Sequence, residues 1–194
     1  MQSNVLILET STESGSIAIA RDGALIAEMI FASRDPATGA RTEALGPAVA
    51  SCLALASLSA RDVSAIVCGA GPGGFTSLRS AAAFAKGICS ALKVPLYAVS
   101  SLELLAWCAT VSDGKFAVAL DAGRGEWFAM DCSCDDGQVS ITSAAYVVGD
   151  DDLRTLATRS HATLVGPRLD VDIVPREADA VQHLAEIEHR GAVD

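Results

Sequence analysis

The 194-residue sequence predicts an α/β fold, with mixed sheets and flanking helices. Three observations point to it. The chain opens with three short strand-like runs separated by turn residues. From about residue 42 onward, helices with apolar stripes alternate with short apolar strands. A glycine-rich loop at residues 69–74 joins one of those strands to an alanine-rich helix.

In order, residues 5–8 form an apolar strand and residues 9–15 a polar turn. Residues 16–20 alternate and make a second strand. Arg21-Asp22-Gly23 is a hairpin signal, and residues 24–31 are the third strand. Residues 33–39 read as loop. A helix over 42–56, capped by Thr42, carries the stripe Leu45, Val49, Cys52, Leu53 and Ala56. After the strand at 65–68, the helix at about 77–92 carries Leu78, Ala81, Ala82, Ala85, Ile88, Cys89 and Leu92. Both helices are apolar over more than one face. Burial between the sheet and its neighbours explains that, and so does a small-residue surface that docks partner helices. Residues 94–99 are a strand, and Ser100-Ser101 start a helix ending near 109. Residues 116–120 are almost continuously apolar, as an inner strand is. A charged turn at 121–126 leads to a returning strand at 127–132. A turn at 134–137, a strand at 139–141, a short helix at 152–158, a strand at 162–165 and a closing helix at 178–189 complete the chain. The opening order β-β-β-α-β-α is that of the actin-like, or ribonuclease H-like, fold, although a fold alone does not fix a function.

The glycine loop admits several readings. Glycines permit positive φ and close backbone approach, and a helix start favours a negative group in front of it. Thr76 or Ser77 is placed to cap the new helix. The loop is therefore either an anion cradle or a surface that packs tightly on another backbone. The phosphate-loop pattern nearly fits residues 69–76, but Phe75 stands where the lysine for the β/γ-phosphates belongs. The dinucleotide pattern fits at Gly69, Gly71 and Gly74, but no acid stands at the end of the next strand to hold a ribose.

Charge narrows the function classes. The chain carries 14 basic and 24 acidic residues, a formal charge of −10, and residues 131–194 hold 13 of the acids against 5 bases. That balance argues against unaided nucleic-acid binding, which rests on Lys and Arg neutralising phosphates. No apolar run approaches the roughly 18 residues of a membrane span, and the N-terminus lacks the basic start of a signal peptide. A cytoplasmic chain is expected, and its six cysteines are expected as free thiols. Cys132-Ser133-Cys134 is too closely spaced for the common zinc sites, and His161, His183 and His189 form no metal spacing. On the turn, Asp121, Arg124 and Glu126 make either a self-satisfied ion-pair cluster or a set that meets Arg79 or a ligand. Arg79 lies in the first turn of its helix, where the dipole opposes a cation, so it calls for a carboxylate or anion partner.

Four segments carry a family resemblance. Gly71-Pro72-Gly73-Gly74-Phe75-Thr76-Ser77-Leu78-Arg79 resembles the G-P-G-S-F-T-G-[VL]-R signature of the TsaB (YeaZ) family of the bacterial tRNA threonylcarbamoyladenosine pathway, with Gly74 and Ser77 departing from it. Leu8-Glu9-Thr10-Ser11-Thr12 is similar to the family's I-D-T-S-T. Residues 95–105 are similar to its strand and helix after the loop. Leu120-Asp121-Ala122-Gly123-Arg124-Gly125-Glu126-Trp127 is similar to its D-A-R-[RMK]-G-E-V-Y. Together they cover roughly residues 5–130.

The resemblance implies an actin-like ATPase (ASKHA) fold in two lobes, residues 1–100 and a reduced second lobe at 101–194, with the last helix free to pack back on the first lobe. It also implies a non-catalytic subunit of the complex that makes N6-threonylcarbamoyladenosine at tRNA position 37. The expected partners are a TsaD-like catalytic subunit, which this chain would activate, a TsaE-like ATPase, and tRNA only indirectly. A second copy of the chain is an alternative occupant of the same surface. The interface is expected on the two long helices, at Leu45, Val49, Leu53, Leu78, Ala82 and Ala85. Ligand or partner contacts are expected at Glu9, Thr10, Ser11, Gly71, Pro72, Gly73, Gly74, Phe75, Thr76, Arg79, Asp121, Arg124 and Glu126. No cofactor or metal is expected on this chain alone, with ATP or ADP placed at the interface of the complex. Glu9 departs from the aspartate of the family and of actin-like ATPases by one methylene. The metal-holding histidine pair of TsaD has no counterpart here. The alternatives are an independent ATPase or small-molecule kinase of the same fold and, more remotely, a metallopeptidase.

Overall fold

The computed structural model describes residues 2–32, 45–167, 169, 181 and 183–193. Its first sheet starts with β1 (Asn4–Glu9), β2 (Ser14–Arg21) and β3 (Ala24–Ala32), an antiparallel meander. Asp22 and Gly23 both take positive φ, at 51° and 78°, as the Asp-Gly hairpin signal requires. Strands β4 (Ala65–Gly69) and β5 (Leu96–Val99) add in parallel, giving the order β3-β2-β1-β4-β5. β1 and β4 are buried along their whole length because the sheet is covered on both faces.

Register decides which residues fill which layer. Leu6, Leu8, Ile17, Ile19, Ile66 and Cys68 point to one face, where α1 (Leu45–Leu55) and α2 (Phe75–Leu92) cover them with Val49, Cys52, Leu53, Ala81 and Ala85. Val5, Ile7, Ala18, Ala20, Val67 and Val99 point to the other face. That face is closed by Leu104 of α3 (Ser101–Cys108) and by Val181, Leu184 and Ile187 of the chain's last segment, which contains α5 (Leu184–His189).

The second sheet contains β6 (Gly114–Gly123), β7 (Glu126–Asp135), β8 (Gln138–Ile141), β9 (Tyr146–Gly149) and β10 (Thr163–Val165), in the order β10-β6-β7-β8, with β9 also on β7. Helix α3 turns Leu102, Leu105 and Ala106 onto one face of this sheet, against Phe116, Val118 and Leu120. The single helix α3 therefore packs on both sheets. The other face is covered by Leu153 and Ala157 of α4 (Asp150–Ser160). Three aspartates in the first turn of α4 suit the positive end of its dipole.

Several boundaries differ from the sequence expectation. The predicted loop at 33–39 and the Thr42 cap lie outside the described residues, as does most of 178–183. Helix α2 begins at Phe75 with Gly74 as its N-cap and no side-chain cap, so Thr76 and Ser77 lie inside its first turn. Strands β6 and β7 run on to Gly123 paired with Glu126, so the charged turn shrinks to Arg124-Gly125, both at positive φ. Strand β9 (Tyr146–Gly149) falls between the predicted strand at 139–141 and the predicted helix at 152–158, where the sequence reading placed no element. All six cysteines are free, and Cys52, Cys68, Cys132 and Cys134 are buried. Among the described residues, no helix is long and apolar enough to cross a membrane.

Candidate functional site

Strand β1 delivers Glu9 to the point where β4 ends and α3 begins. Its side chain is 2% exposed. One carboxyl oxygen accepts from the backbone N–H of Ser11, and the other accepts from the Ser101 hydroxyl at 2.8 Å. The carboxyl lies directly over Gly69, where any Cβ would run into Oε2. Burial pushes the Glu9 pKa above the ordinary glutamate value of 4.5, and the bonds from Ser11, Ser101 and Thr10 only partly oppose the rise. The Ser11 hydroxyl lies beside the carboxyl but outside good hydrogen-bond geometry. Both it and the Thr10 hydroxyl are buried without a partner.

The glycine loop closes over this carboxyl. Ala70 N–H donates to Val99 O at 2.8 Å, Ser101 N–H to Gly71 O at 2.9 Å, and Gly74 N–H to Ser11 O at 2.8 Å. Gly71 has φ 89° and a cis bond to Pro72. Gly73 has φ 154°, and a Cβ there would sit 2.5 Å from both Cβ and O of Ser11. Gly73 thus packs directly on the backbone of Ser11, while Gly69 lies against the Glu9 carboxyl and Gly71 against the Leu78 side chain. Ser101 was missing from the expected site. Its neighbour Ser100 is the helix cap, accepting from Glu103 N–H at 3.4 Å. The tandem Ser100-Ser101 was the available signal, one hydroxyl for the helix end and one for the carboxyl.

Gly74, Phe75, Thr76 and Arg79 are exposed, and Pro72 is half-buried. Arg79 lies over the Phe75 ring, 3.8 Å from its centroid. The sequence reading called for a carboxylate or anion partner; the contact described here is a cation–π one. Asp121, Arg124 and Glu126 are exposed on the β6–β7 turn, where the Asp121 carboxylate accepts from Gly123 N–H at 2.6 Å. Among the described residues no ion pair joins this turn to Arg79. The expected helix interface also divides. Val49, Leu53 and Ala85 are buried in the chain's own core, so they correct to packing residues that a partner cannot reach. Leu45, Leu78 and Ala82 are half-buried, Leu45 packing against the edge of that core, and Ala50, Ala54, Leu55 and Ala83 are exposed.

The meander followed by alternating parallel strands, with a second sheet built on β6 and β7, defines the class: this is a two-sheet actin-like (ASKHA) fold. Comparison with known proteins resolves the family. The family model described as TsaD, tRNA N6-adenosine threonylcarbamoyltransferase, matches residues 33–151. The Bacillus subtilis tRNA threonylcarbamoyladenosine biosynthesis protein TsaB is 35% identical over 123 residues, which cover 63% of this chain and 52% of that protein. The Escherichia coli protein of the same name is 32% identical over 124 residues, with the same coverage. The solved structure of YeaZ from Pseudomonas aeruginosa superposes with a TM-score of 0.78 at 26% identity, covering 99% of this chain and 95% of that one. The chain belongs to the TsaB/YeaZ family. It spans about half the length of the curated relatives it matches.

Proposed function

We propose that this chain is a non-catalytic subunit of the assembly that forms N6-threonylcarbamoyladenosine in tRNA, and that it binds and activates a TsaD-like catalytic subunit. Family membership supports the pathway. The observation that carries the partner role is the outward side of α1 and α2. Each helix commits one stripe to the core and leaves small and apolar residues in solvent, with Leu55 64% and Phe75 66% exposed. The two helices lie side by side, since a Cβ on Gly46 of α1 would reach the Phe84 ring of α2 at 3.8 Å. Small side chains let a partner's helices approach closely, and isolated large ones such as Leu55 and Phe75 serve as anchors. The acidic charge elsewhere leaves the gripping of tRNA to the other subunits, and a TsaE-like ATPase and any ATP or ADP belong to the assembled complex.

The test is tRNA modification by the catalytic subunit with and without this chain, scored by mass spectrometry of digested nucleosides. Modification should depend strongly on the chain and should fall at least tenfold with Leu55→Glu or Ala82→Glu. A catalytic subunit indifferent to the chain, together with no binding between them, would sink the reading. An ATP-turnover assay on the chain alone would then decide for the independent ATPase or kinase.

A further inference from the structure

Between the end of β1 and the glycine loop, the chain assembles the elements of an anion site. The 18-residue helix α2 starts there, preceded by a loop whose glycines permit the closest approach. The hydroxyls of Thr10 and Ser11, each 5% exposed, are buried there without hydrogen-bond partners. Ser11 N–H and the Ser101 hydroxyl supply two more donors, from two different elements. Donors that converge in this way normally receive an oxygen-rich ligand. Here the group that receives two of them is the carboxyl of Glu9, lying over Gly69 at a spot no other residue type at 69 would leave open.

We propose that Glu9 is a built-in occupant of this site, a carboxyl group of the chain's own that fills the space an inorganic phosphate or a phosphate ester would need and keeps the two loops shut. Side-chain length makes this work. Glu9 leaves a strand end and reaches both Ser11 N–H and Ser101 Oγ, and an aspartate at the same position would fall one methylene short. The same carboxyl clamps the glycine loop. With Glu9 in place, Gly74 N–H donates to Ser11 O and Ser101 N–H to Gly71 O, leaving those backbone groups nothing to offer a ligand.

The probe is inorganic phosphate, added to the isolated full chain. Phosphate should bind Glu9→Ala at millimolar concentration and raise its unfolding temperature by several degrees. Wild type and Glu9→Gln, which keeps the length, accepts from Ser11 N–H through its amide oxygen and turns its NH2 to donate to the Ser101 hydroxyl, should bind at least tenfold more weakly and show no shift. Glu9→Ser provides a second opened variant in case Glu9→Ala does not fold. If phosphate binds wild type as tightly as the opened variants, or binds neither opened variant, the proposal is overturned. No partner subunit enters the experiment, so its failure leaves the activating role untouched.

Discussion

Gly69 tolerates no side chain because the Glu9 carboxyl already fills the space above it. Gly69→Ala should therefore cost about 1–3 kcal/mol, as overpacked cores do, read as a lower urea midpoint with unchanged slope. The loss should shrink in the double variant with Glu9→Ala, because the two residues share one volume. Glu9 also sets a pH signature. Its proton is held more tightly in the folded chain than in the unfolded one. Its contribution is therefore complete below the ordinary value of 4.5, and stability is lost as pH climbs from there through the raised folded value. Across that window wild type should lose stability relative to Glu9→Gln, measured by urea unfolding at each pH. The opposite slope would mean that the buried group is an ionised carboxylate. Cys132 offers an independent check on burial. Its buried thiol, next to Asp131, is pushed up to about 12. A thiol reagent at pH 8 should label it only after unfolding.

Among the elements, α5 is short but tied down at both ends. His183 stacks on Trp107 of α3, ring centroids 4.0 Å apart, and Arg190 pairs with Glu103 of α3. Past the helix, Val193 N–H donates to Leu96 O on the free edge of β5. Ile187, 1% exposed, inserts between these ties into the layer with Ile7 and Val67. Ile187→Ala should cost about 2–5 kcal/mol, whereas Arg190→Ala should cost less than 1, because the exposed pair is screened by solvent. Chemical denaturation of the two variants separates core filling from surface tethering. Helix α2 behaves differently. Its N-cap is a glycine with no side-chain bond, and its start is set by the loop packed on residue 11 rather than by a capping hydroxyl. That is why its first residue was misplaced from sequence.

For the whole molecule, the parts legible in sequence were those governed by local periodicity and turn chemistry. The meander, its Asp-Gly hairpin, the alternation of helix and strand, and the family motifs all follow from residues close together in the chain. The parts that were not legible depend on residues far apart. Ser101 meets Glu9 across 92 positions, and no local pattern announces the bond. Val49, Leu53 and Ala85 read equally well as outward or inward apolar residues until the sheet beneath them is placed. Arg79 asked for a carboxylate or anion partner on dipole grounds, and the contact described is with an aromatic ring one turn away. Strand β9 is too short and too mixed to stand out from a turn.

The face of the first sheet made by Val5, Ile7 and Val67 is finished by Val181, Leu184 and Ile187. All three come long after Leu96–Val99, the last strand of that sheet. A nascent chain of 150 residues has therefore already synthesised every strand of the sheet while this face carries Leu104 of α3 but lacks its other cover. On stalled ribosomes the sheet should be more sensitive to protease at that length than once residues 181–193 have emerged. The first layer to be synthesised is thus sealed late, and the interval is a window in which a chaperone has something to hold.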